Sequence, residues 1–315
     1  MPDTQHDAAA DTQNTQERCG FLDPVLLSVA IFWGGNFVAY KYLMALISPA
    51  ALLVARYVLI TLLLLGLVAA RGRLRSGNSP MMWLHIGLAG LLIMGLQQIA
   101  FVTGLNLTAA GEGSLLFSTA PIFTALIAAA IGQEQVRRGN WIGIAAAMAG
   151  CTMVILGGAG AEHVPETRIT GDLLMLASAI GYALFMVVSK PLMLRYGALK
   201  VVGFSYLFGL LLIVPFGARD AMEADWGSLG SAGWFWMGWL VILAGAYGFA
   251  AWYWRISRTT PSRVAVYQYM VPVVAMVTAA LLLAERPAAI QIGGAVLVLA
   301  GLYFARRDGA ATCPS

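Results

Sequence analysis

Long apolar runs separated by short polar breaks make up the chain between residues 24 and 305. A run of about 20 apolar residues is long enough to cross the hydrocarbon core of a bilayer as a helix. The runs are continuous and lack the strict alternation of a membrane barrel, which excludes the other structure that satisfies its own backbone in lipid. The pattern therefore predicts an all-α integral membrane protein with ten transmembrane helices. The predicted spans are 24–45, 49–70, 81–104, 113–132, 140–158, 171–190, 198–217, 232–254, 261–283 and 287–305.

Lysine and arginine are distributed unevenly over the polar breaks. If the N-terminus is cytoplasmic, most of the 19 Lys and Arg residues fall in the inner segments. Cytoplasmic loops of membrane proteins are enriched in these residues, so both termini are predicted to be cytoplasmic. Residues 1–20 are polar and are predicted to form a disordered cytoplasmic tail, and residues 308–315 are predicted to form a second cytoplasmic tail.

The second half of the chain repeats the first. In an ungapped alignment at an offset of 151 residues, a proline, a glutamate and two glycines of the two halves coincide. A second stretch aligns at an offset of 149 and places Lys41 on Lys190. The pairs at the first offset are Pro121 and Pro272, Glu134 and Glu285, Gly143 and Gly294, and Gly150 and Gly301. The alignment predicts a first five-helix repeat at 21–158 and a second at 168–307.

Each predicted repeat contains five spans, an odd number, so the second repeat must enter the membrane from the side opposite to the first. Inverted repeats are typical of secondary transporters, whose two halves exchange conformations and open a central site alternately to each side of the membrane. The repeat therefore predicts a carrier that works by alternating access. An intramembrane enzyme and a channel are the other classes considered, and saturable counterflow distinguishes a carrier from a channel.

The amino-acid composition is consistent with a membrane protein, and together with the motif search it argues against an enzyme. Hydrophobic residues make up 60% of the chain and charged residues 11%, whereas soluble domains carry about 25% charged residues. The short loops leave no room for a soluble catalytic domain, and no zinc-protease, hydrolase or Walker motif occurs. The sequence therefore predicts a protein that is not an enzyme, with no catalytic residue, metal site or cofactor. Its basic residues serve as topology signals, so no nucleic acid partner is expected.

Several motifs occur in a characteristic order. The pattern W-G-x-N-F-x-x-x-K stands in the first span, from Trp33 to Lys41, and an arginine follows early in the second span as Arg56. The stretch "LTAAGEGSLLFSTAPIFTALIAAAIGQE" has a central proline and a closing glutamate, and "PVVAMVTAALLLAERP" repeats that arrangement. These motifs resemble the drug/metabolite transporter superfamily, specifically its ten-helix EamA-type members, and the resemblance extends over residues 21–307.

The resemblance implies a multi-pass transporter in a bacterial inner (plasma) membrane. Members that this chain resembles export amino acids and other small organic metabolites, whereas distant branches exchange nucleotide sugars or phosphorylated compounds. An amino-acid exporter is therefore the favoured function, and an exchanger of phosphorylated or nucleotide-linked solutes is the alternative. The expected partners are the lipid bilayer and a small-molecule substrate, with a monomer sufficient for transport.

Two cations in the outer half of the predicted bundle are candidates for substrate binding. Lys41 lies near the outer end of the first span, where its long side chain can reach the lipid headgroups or contact a substrate. Arg56 is predicted to lie about 10 Å below the outer surface, a depth at which a cation faces protein or a water-filled cavity. The pair binds a substrate carboxylate or phosphate in one interpretation and pairs with Glu112 in the other. Arg56 is the stronger candidate for the cavity.

Uncharged polar and aromatic side chains within the spans supply the other candidates. Amides hydrogen-bond a substrate or hold helices together, and aromatic rings line a cavity or form interfacial belts. The candidate substrate-binding residues other than the two cations are Trp33, Asn36, Gln97, Gln98, Tyr182, Tyr247, Trp252, Tyr267 and Gln268. Pro121 and Pro272 lie within spans at equivalent positions of the repeat, which predicts kinks or hinges there.

The acidic residues suggest no proton relay inside the membrane. Asp23 and Asp172 are predicted at helix starts, and Glu112, Glu134 and Glu285 at span ends. Proton-coupled carriers commonly place carboxylates in the membrane interior. The sequence therefore favours facilitated transport or exchange over a carboxylate-based pump.

Overall fold

Helices form every regular element of the described chain. The structure is a computed structural model that describes residues 23–71, 79–132, 142, 145–146, 148–150, 152–154, 156, 167–256, 267 and 270–307. Gln268 and both predicted tails lie outside the described residues, as does Glu134.

The described part of the first half begins with four helices. They are α1 (Pro24–Met44), α2 (Pro49–Ala70), α3 (consecutive segments Pro80–Leu88, Ala89–Gly95 and Leu96–Leu107) and α4 (Ala110–Phe117 and Ala120–Ala130). The positions described between 142 and 156 are also helical.

The second half adds five helices within its described residues. They are α5 (Arg168–Tyr196), α6 (Ala198–Glu223), α7 (Gly230–Gly238, Trp239–Tyr247 and Gly248–Ile256), α8 (Met270–Leu282) and α9 (Ala289–Arg307). A short 3₁₀ turn, Trp226–Leu229, leads into α7.

Six of the described helices are long and apolar enough to cross a membrane, which supports the predicted helical membrane protein. The predicted boundaries are closest for α1 and α2, whereas α5 and α6 extend well beyond their predicted spans, 171–190 and 198–217. The count of ten spans, the inversion of the repeat and the cytoplasmic termini stay predictions.

Three helices begin with the same sequence pattern, a capping residue followed by proline. Pro24, Pro49 and Pro80 open α1, α2 and α3, a position at which proline loses no hydrogen bond. The residue before each proline accepts backbone hydrogen bonds through its side chain, as Asp23 does from the N–H groups of Val25 and Leu26. Ser48 and Ser79 play this role in α2 and α3. These caps satisfy donors that the helix cannot satisfy itself.

Asp23 also forms an ion pair with Arg255 of α7, 2.5 Å away. Replacing Asp23 by alanine removes the cap and the ion pair, so we expect the free energy of unfolding to fall by about 2 kcal/mol or more. Asparagine at this position keeps the cap and loses only the ion pair, so Asp23→Asn should fall between wild type and Asp23→Ala. Thermal unfolding of the purified variants in detergent measures the difference. Equal melting temperatures for Asp23→Ala and wild type would contradict the assignment.

The two halves pack against each other in a reciprocal pattern. Helix α1 packs on α7 and α8, while α5, the first helix of the second half, packs on α3 and α4. Helix α2 packs along α6, its counterpart in the predicted repeat. Tyr57 and Tyr206, which are equivalent at the 149-residue offset, lie at this contact with ring centroids 4.4 Å apart. A contact between equivalent residues is expected at a two-fold axis.

Segments of π-helix interrupt α3 and α7. They are Ala89–Gly95 and Trp239–Tyr247, whose first residues are 150 positions apart in the chain. A π-helical segment alters the local backbone pairing and is frequently found at functional sites. In α7 the carbonyl of Ala244 accepts a hydrogen bond from the indole nitrogen of Trp33 at 2.9 Å.

One of the two predicted kink positions lies beside irregular backbone. Helix α4 is interrupted at Ser118 and Thr119, and Pro121 is the second residue of its second piece. Proline at that place costs no interior helix bond. Pro272 is the third described residue of α8, and a hinge role for either proline stays a prediction.

Candidate functional site

A central cavity lies between helices of both halves. It contains about 730 Å³ of space that no protein atom fills, part of it open to solvent. Its walls come from α1 to α5, α7 and α8. The lining residues are Trp33, Asn36, Phe37, Tyr40, Arg56, Gln97, Gln98, Phe101, Phe117, Ser118, Tyr182, Ala244, Phe249 and Val271.

One face of α1 supplies four of these side chains. Trp33, Asn36, Phe37 and Tyr40 are spaced three, four and seven residues from the first, the spacing that places side chains on one side of a helix. The same logic joins Gln97 to Phe101 on α3. Helical periodicity therefore turns both rows toward the cavity.

Arg56 is the cation of the described cavity wall. Only 5% of the residue is exposed. Its Nη1 donates a hydrogen bond to Oε1 of Gln98 at 3.2 Å, and its guanidinium lies 5.3 Å from the ring centroid of Tyr40. Its Nε is buried and has no hydrogen-bond partner among the described residues, and no described carboxylate forms an ion pair with it. A buried charge without a counterion is costly, so this position favours an anionic ligand.

A chain of hydrogen bonds orients Gln98, the residue that accepts the hydrogen bond from Arg56. Gln98 donates through Nε2 to Oε1 of Gln97 at 2.9 Å, and Gln97 donates through Nε2 to the hydroxyl of Ser178 on α5 at 2.7 Å. Gly181 permits the close approach of α5 to α3, since a Cβ there would lie 3.0 Å from Cβ of Gln97. The orientation of the Gln98 carbonyl toward Arg56 thus depends on a contact between the two halves.

Two other buried polar atoms in the cavity wall lack a hydrogen-bond partner among the described residues. Oδ1 of Asn36 and the hydroxyl of Tyr40 are buried, and neither has a hydrogen-bond partner in the described part of the chain. Buried polar groups are nearly always paired in folded proteins. An acceptor such as Asn36 Oδ1 and a cation such as Arg56 together suit a ligand that carries both an amine and a carboxylate.

Aromatic rings form much of the remaining wall. Phe101 lies between Phe37 and Phe117, with ring centroids 5.7 and 5.3 Å away, and Phe117 is 5.5 Å from Tyr182. These are ordinary separations for aromatic pairs. The wall is suited to bury an apolar portion of a ligand beside the polar groups.

The structure brings together six of the residues singled out from the sequence. They are Trp33, Asn36, Arg56, Gln97, Gln98 and Tyr182. Their roles in binding a substrate stay predictions.

Other residues singled out from the sequence lie away from the cavity wall. Lys41 donates through Nζ to the carbonyl of Asn106 at 3.3 Å. The hydroxyl of Tyr247 bonds that of Ser28, and the hydroxyl of Tyr267 accepts from the backbone of Asp23. Trp252 packs on Trp33 with centroids 5.0 Å apart. These contacts join helices and give the side chains structural partners.

The predicted alternative in which Lys41 and Arg56 pair with Glu112 is wrong. Glu112 forms an ion pair with Arg168 at the start of α5, and Arg56 bonds Gln98. The sequence hid this pairing because Arg168 belongs to the other half of the chain, 56 positions away.

Cavity residues that the sequence analysis missed are mainly aromatic. They are Phe37, Tyr40, Phe101, Phe117, Ser118, Ala244, Phe249 and Val271. The spacing of Phe37 and Tyr40 relative to Trp33 is a signal that could have found those two. Phe117 carried no such signal, because α4 is interrupted directly after it.

Comparison with known proteins finds a matching family model and a solved structure of similar fold. A family model described as "EamA-like transporter family" matches residues 21–156 and 169–307. A solved structure aligns with a TM-score of 0.64 at 18% identity and covers 91% of this chain and 98% of its own. That similarity concerns the fold alone.

Curated relatives of similar length carry transporter names. A "probable terminal-alkyne amino-acid exporter" of Streptantibioticus cattleyicolor is 27% identical over 90% of this chain and 92% of its own length. A "probable amino-acid metabolite efflux pump" of Escherichia coli is 28% identical over 88% of this chain and 92% of its own length.

Proposed function

This chain belongs to the EamA-like transporter family, and from that premise we propose that it exports amino acids or similarly small organic metabolites across the inner membrane. The substrate carboxylate binds Arg56 in the central cavity. The substrate amine lies toward Asn36, and the side chain lies against the aromatic wall.

The observation that carries this proposal is the buried, uncompensated charge of Arg56. Its guanidinium lines the cavity, and its described neighbours are neutral: the amide of Gln98 and the phenol groups of Tyr40, Tyr57 and Tyr206. A carboxylate would supply the negative charge that compensates Arg56. It would also accept a hydrogen bond from Nε, which has no partner among the described residues. Charge-assisted hydrogen bonds of this type are about twice as strong as neutral ones, and arginine binds carboxylates with two parallel bonds.

The polarity of the wall favours an amino acid over a phosphorylated solute. A phosphate group carries up to two charges and is usually held by several cations or backbone donors. Arg56 is the only charged residue in the described lining, whereas Asn36 offers an acceptor for an amine. The names of the two amino-acid exporting relatives agree with this choice.

The reciprocal packing supports alternating access between two inverted five-helix repeats, 21–158 and 168–307. Equivalent helices meet at α2 and α6, and the two π-helical segments lie at nearly equivalent positions. We propose ten spans with both termini in the cytoplasm. The cavity between the halves is then the site that opens to each side in turn.

Counterflow in proteoliposomes tests the proposal. Vesicles that contain the full-length protein are preloaded with single unlabelled amino acids, and uptake of the labelled compound is followed. Each amino acid is matched with the amine that lacks only its carboxylate, and phosphorylated solutes serve as a third set. We expect saturable exchange of amino acids and at least about a 10-fold weaker response to the amines. Equal exchange of the matched amines would contradict the role of Arg56, and exchange of phosphorylated solutes alone would overturn the proposed substrate class.

A further inference from the structure

A second polar cluster lies where α3 ends and α4 and α5 begin, apart from the central cavity. It consists of Thr108, Glu112, Arg168 and Asp172, and we name it the Thr108 cluster. The hydroxyl of Thr108 lies 2.5 Å from Oδ1 of Asp172 and 3.1 Å from Oε2 of Glu112. Arg168 forms an ion pair with Glu112. The cluster joins the two halves, because Thr108 and Glu112 belong to the first and the other two residues to the second.

The two carboxyl groups are buried although the sequence places them close to helix ends. Asp172 is 0% exposed and Glu112 is 4% exposed. Oδ2 of Asp172 is buried and has no hydrogen-bond partner among the described residues. An ionised carboxylate with a bare buried oxygen is strongly disfavoured, whereas a protonated carboxyl removes the charge that would require a partner. The sequence predicts that both groups lie near helix ends, and only the structure shows that they are buried there.

The hydrogen-bond geometry at Thr108 also favours an additional proton. A threonine hydroxyl has one hydrogen to donate, and an ionised carboxylate can only accept. Two ionised carboxylates would therefore have to share this single hydrogen, which weakens both bonds. If one carboxyl is protonated, it donates to the hydroxyl oxygen while the hydroxyl donates to the other. A like-charged pair in one buried site favours the same result, because the second ionisation is opposed by the first.

Among the described residues, the charges around the pair leave it short of one positive charge. Arg168 on α5 faces it directly. Before α9, Glu285 accepts from the backbone N–H groups of Ala110 and Gly111, and Lys41 of α1 lies within its electrostatic reach. Arg286 is exposed to solvent. The other described residues that line the space beside the pair are neutral, and the amide of Gln291 on α9 lies 3.5 Å from Glu112.

A cavity beside Glu112 provides a path for exchange with water. It holds about 710 Å³ of unfilled space and is lined by Glu112, Arg168, Glu285, Arg286 and Gln291, among others. The polar side chains in this lining can hold ordered water. A proton can therefore reach the pair without crossing the apolar core.

We propose that Glu112 and Asp172 share one proton at neutral pH and that the Thr108 cluster is a proton-binding site between the two halves. The bound proton lies between the two carboxyl groups and the hydroxyl of Thr108. Its loss leaves two carboxylates facing one arginine and weakens the contact that joins α4 to α5 at this end of the bundle.

Infrared difference spectroscopy tests this proposal without any substrate, so its outcome is independent of the proposed transport function. The full-length protein in lipid nanodiscs is titrated from neutral to alkaline pH, and the carbonyl stretch of protonated carboxylic acid is followed. We expect wild type to show this band at neutral pH and to lose it on titration. Glu112→Gln and Asp172→Asn should each remove the band, because a single carboxyl then faces the positive charge of Arg168 without a second carboxyl beside it.

Glu223→Gln is the matched control, because Glu223 is a solvent-exposed carboxylate paired with Arg219. It should retain the wild-type band. Absence of a protonated carboxyl band in wild type would overturn the proposal, and loss of the band in only one of the two cluster variants would overturn the sharing. If Asp172→Asn does not fold, Asp172→Glu decides the point: a shifted band supports the participation of position 172, and an unshifted band contradicts it.

Discussion

Replacing Arg56 by glutamine should reduce the apparent affinity for amino acids by about 100-fold or more. The change removes the charge and keeps a polar side chain of moderate size. A substrate carboxylate in the cavity would then be buried without a counterion, which costs several kcal/mol when one partner of a buried charge pair is deleted. Counterflow over a range of substrate concentrations measures the loss. Because the free protein no longer buries a bare cation, its stability should not fall correspondingly.

Lys41→Gln is the control for this experiment. It removes a cation from α1, a helix that supplies four cavity residues. Lys41 itself lies outside the described cavity wall and donates a hydrogen bond to a backbone carbonyl. Its effect on affinity should be less than about 3-fold. Arg56→Lys should recover only part of the affinity, since lysine cannot present the planar pair of donors that arginine offers. Unchanged counterflow kinetics in a correctly folded Arg56→Gln protein would show that the carboxylate binds elsewhere.

Replacing Gly90 by alanine should have the largest effect on stability. Gly90 lies in the π-helical segment of α3, and a Cβ there would lie 2.5 Å from the carbonyl oxygen and 2.8 Å from Cα of Ser205 on α6. Both atoms belong to backbone, so no side-chain rotation relieves the collision and the helices must separate. Overpacking of this severity costs about 3 kcal/mol or more. A lower melting temperature and reduced yield of monodisperse protein, measured by fluorescence-detected size exclusion after heating, are the expected results.

Gly66→Ala provides the matched comparison within α2. A Cβ at Gly66 meets no atom within 4 Å. Alanine is favoured over glycine inside a helix by about 1 kcal/mol, so this variant should be at least as stable as wild type. If the Gly90→Ala protein has the same melting temperature as the Gly66→Ala protein, α3 and α6 are not in the close contact described.

The beginnings of the early helices could be read from local sequence. Pro24, Pro49 and Pro80 each follow a capping side chain, and both parts of that signal act over a few residues. The interruption of α4 and the π-helical segments had no comparable signal. They depend on packing against other helices, as at Gly90, where the nearest atoms belong to α6.

The candidate site was predictable where a residue conflicts with its apolar surroundings. Arg56, Asn36 and Gln97 are polar residues inside long apolar spans, and burial of such groups needs a specific reason. Phe117 and Phe249 are apolar residues among apolar residues, so sequence pattern cannot separate a cavity wall from a lipid-facing surface. Their position at the cavity was decided by the way the halves pack.

By itself the sequence determined that this is a helical membrane protein, because the length and continuity of apolar runs are local properties that lipid acts on directly. It also supplied the motifs that place the chain among EamA-like transporters. Only the tertiary structure decided which charges meet. Glu112 and Asp172 lie near helix ends, as the sequence predicts, and contacts between α3, α4 and α5 bury both around Thr108. Burial and charge pairing arise from residues far apart in the chain, so no local pattern contains them.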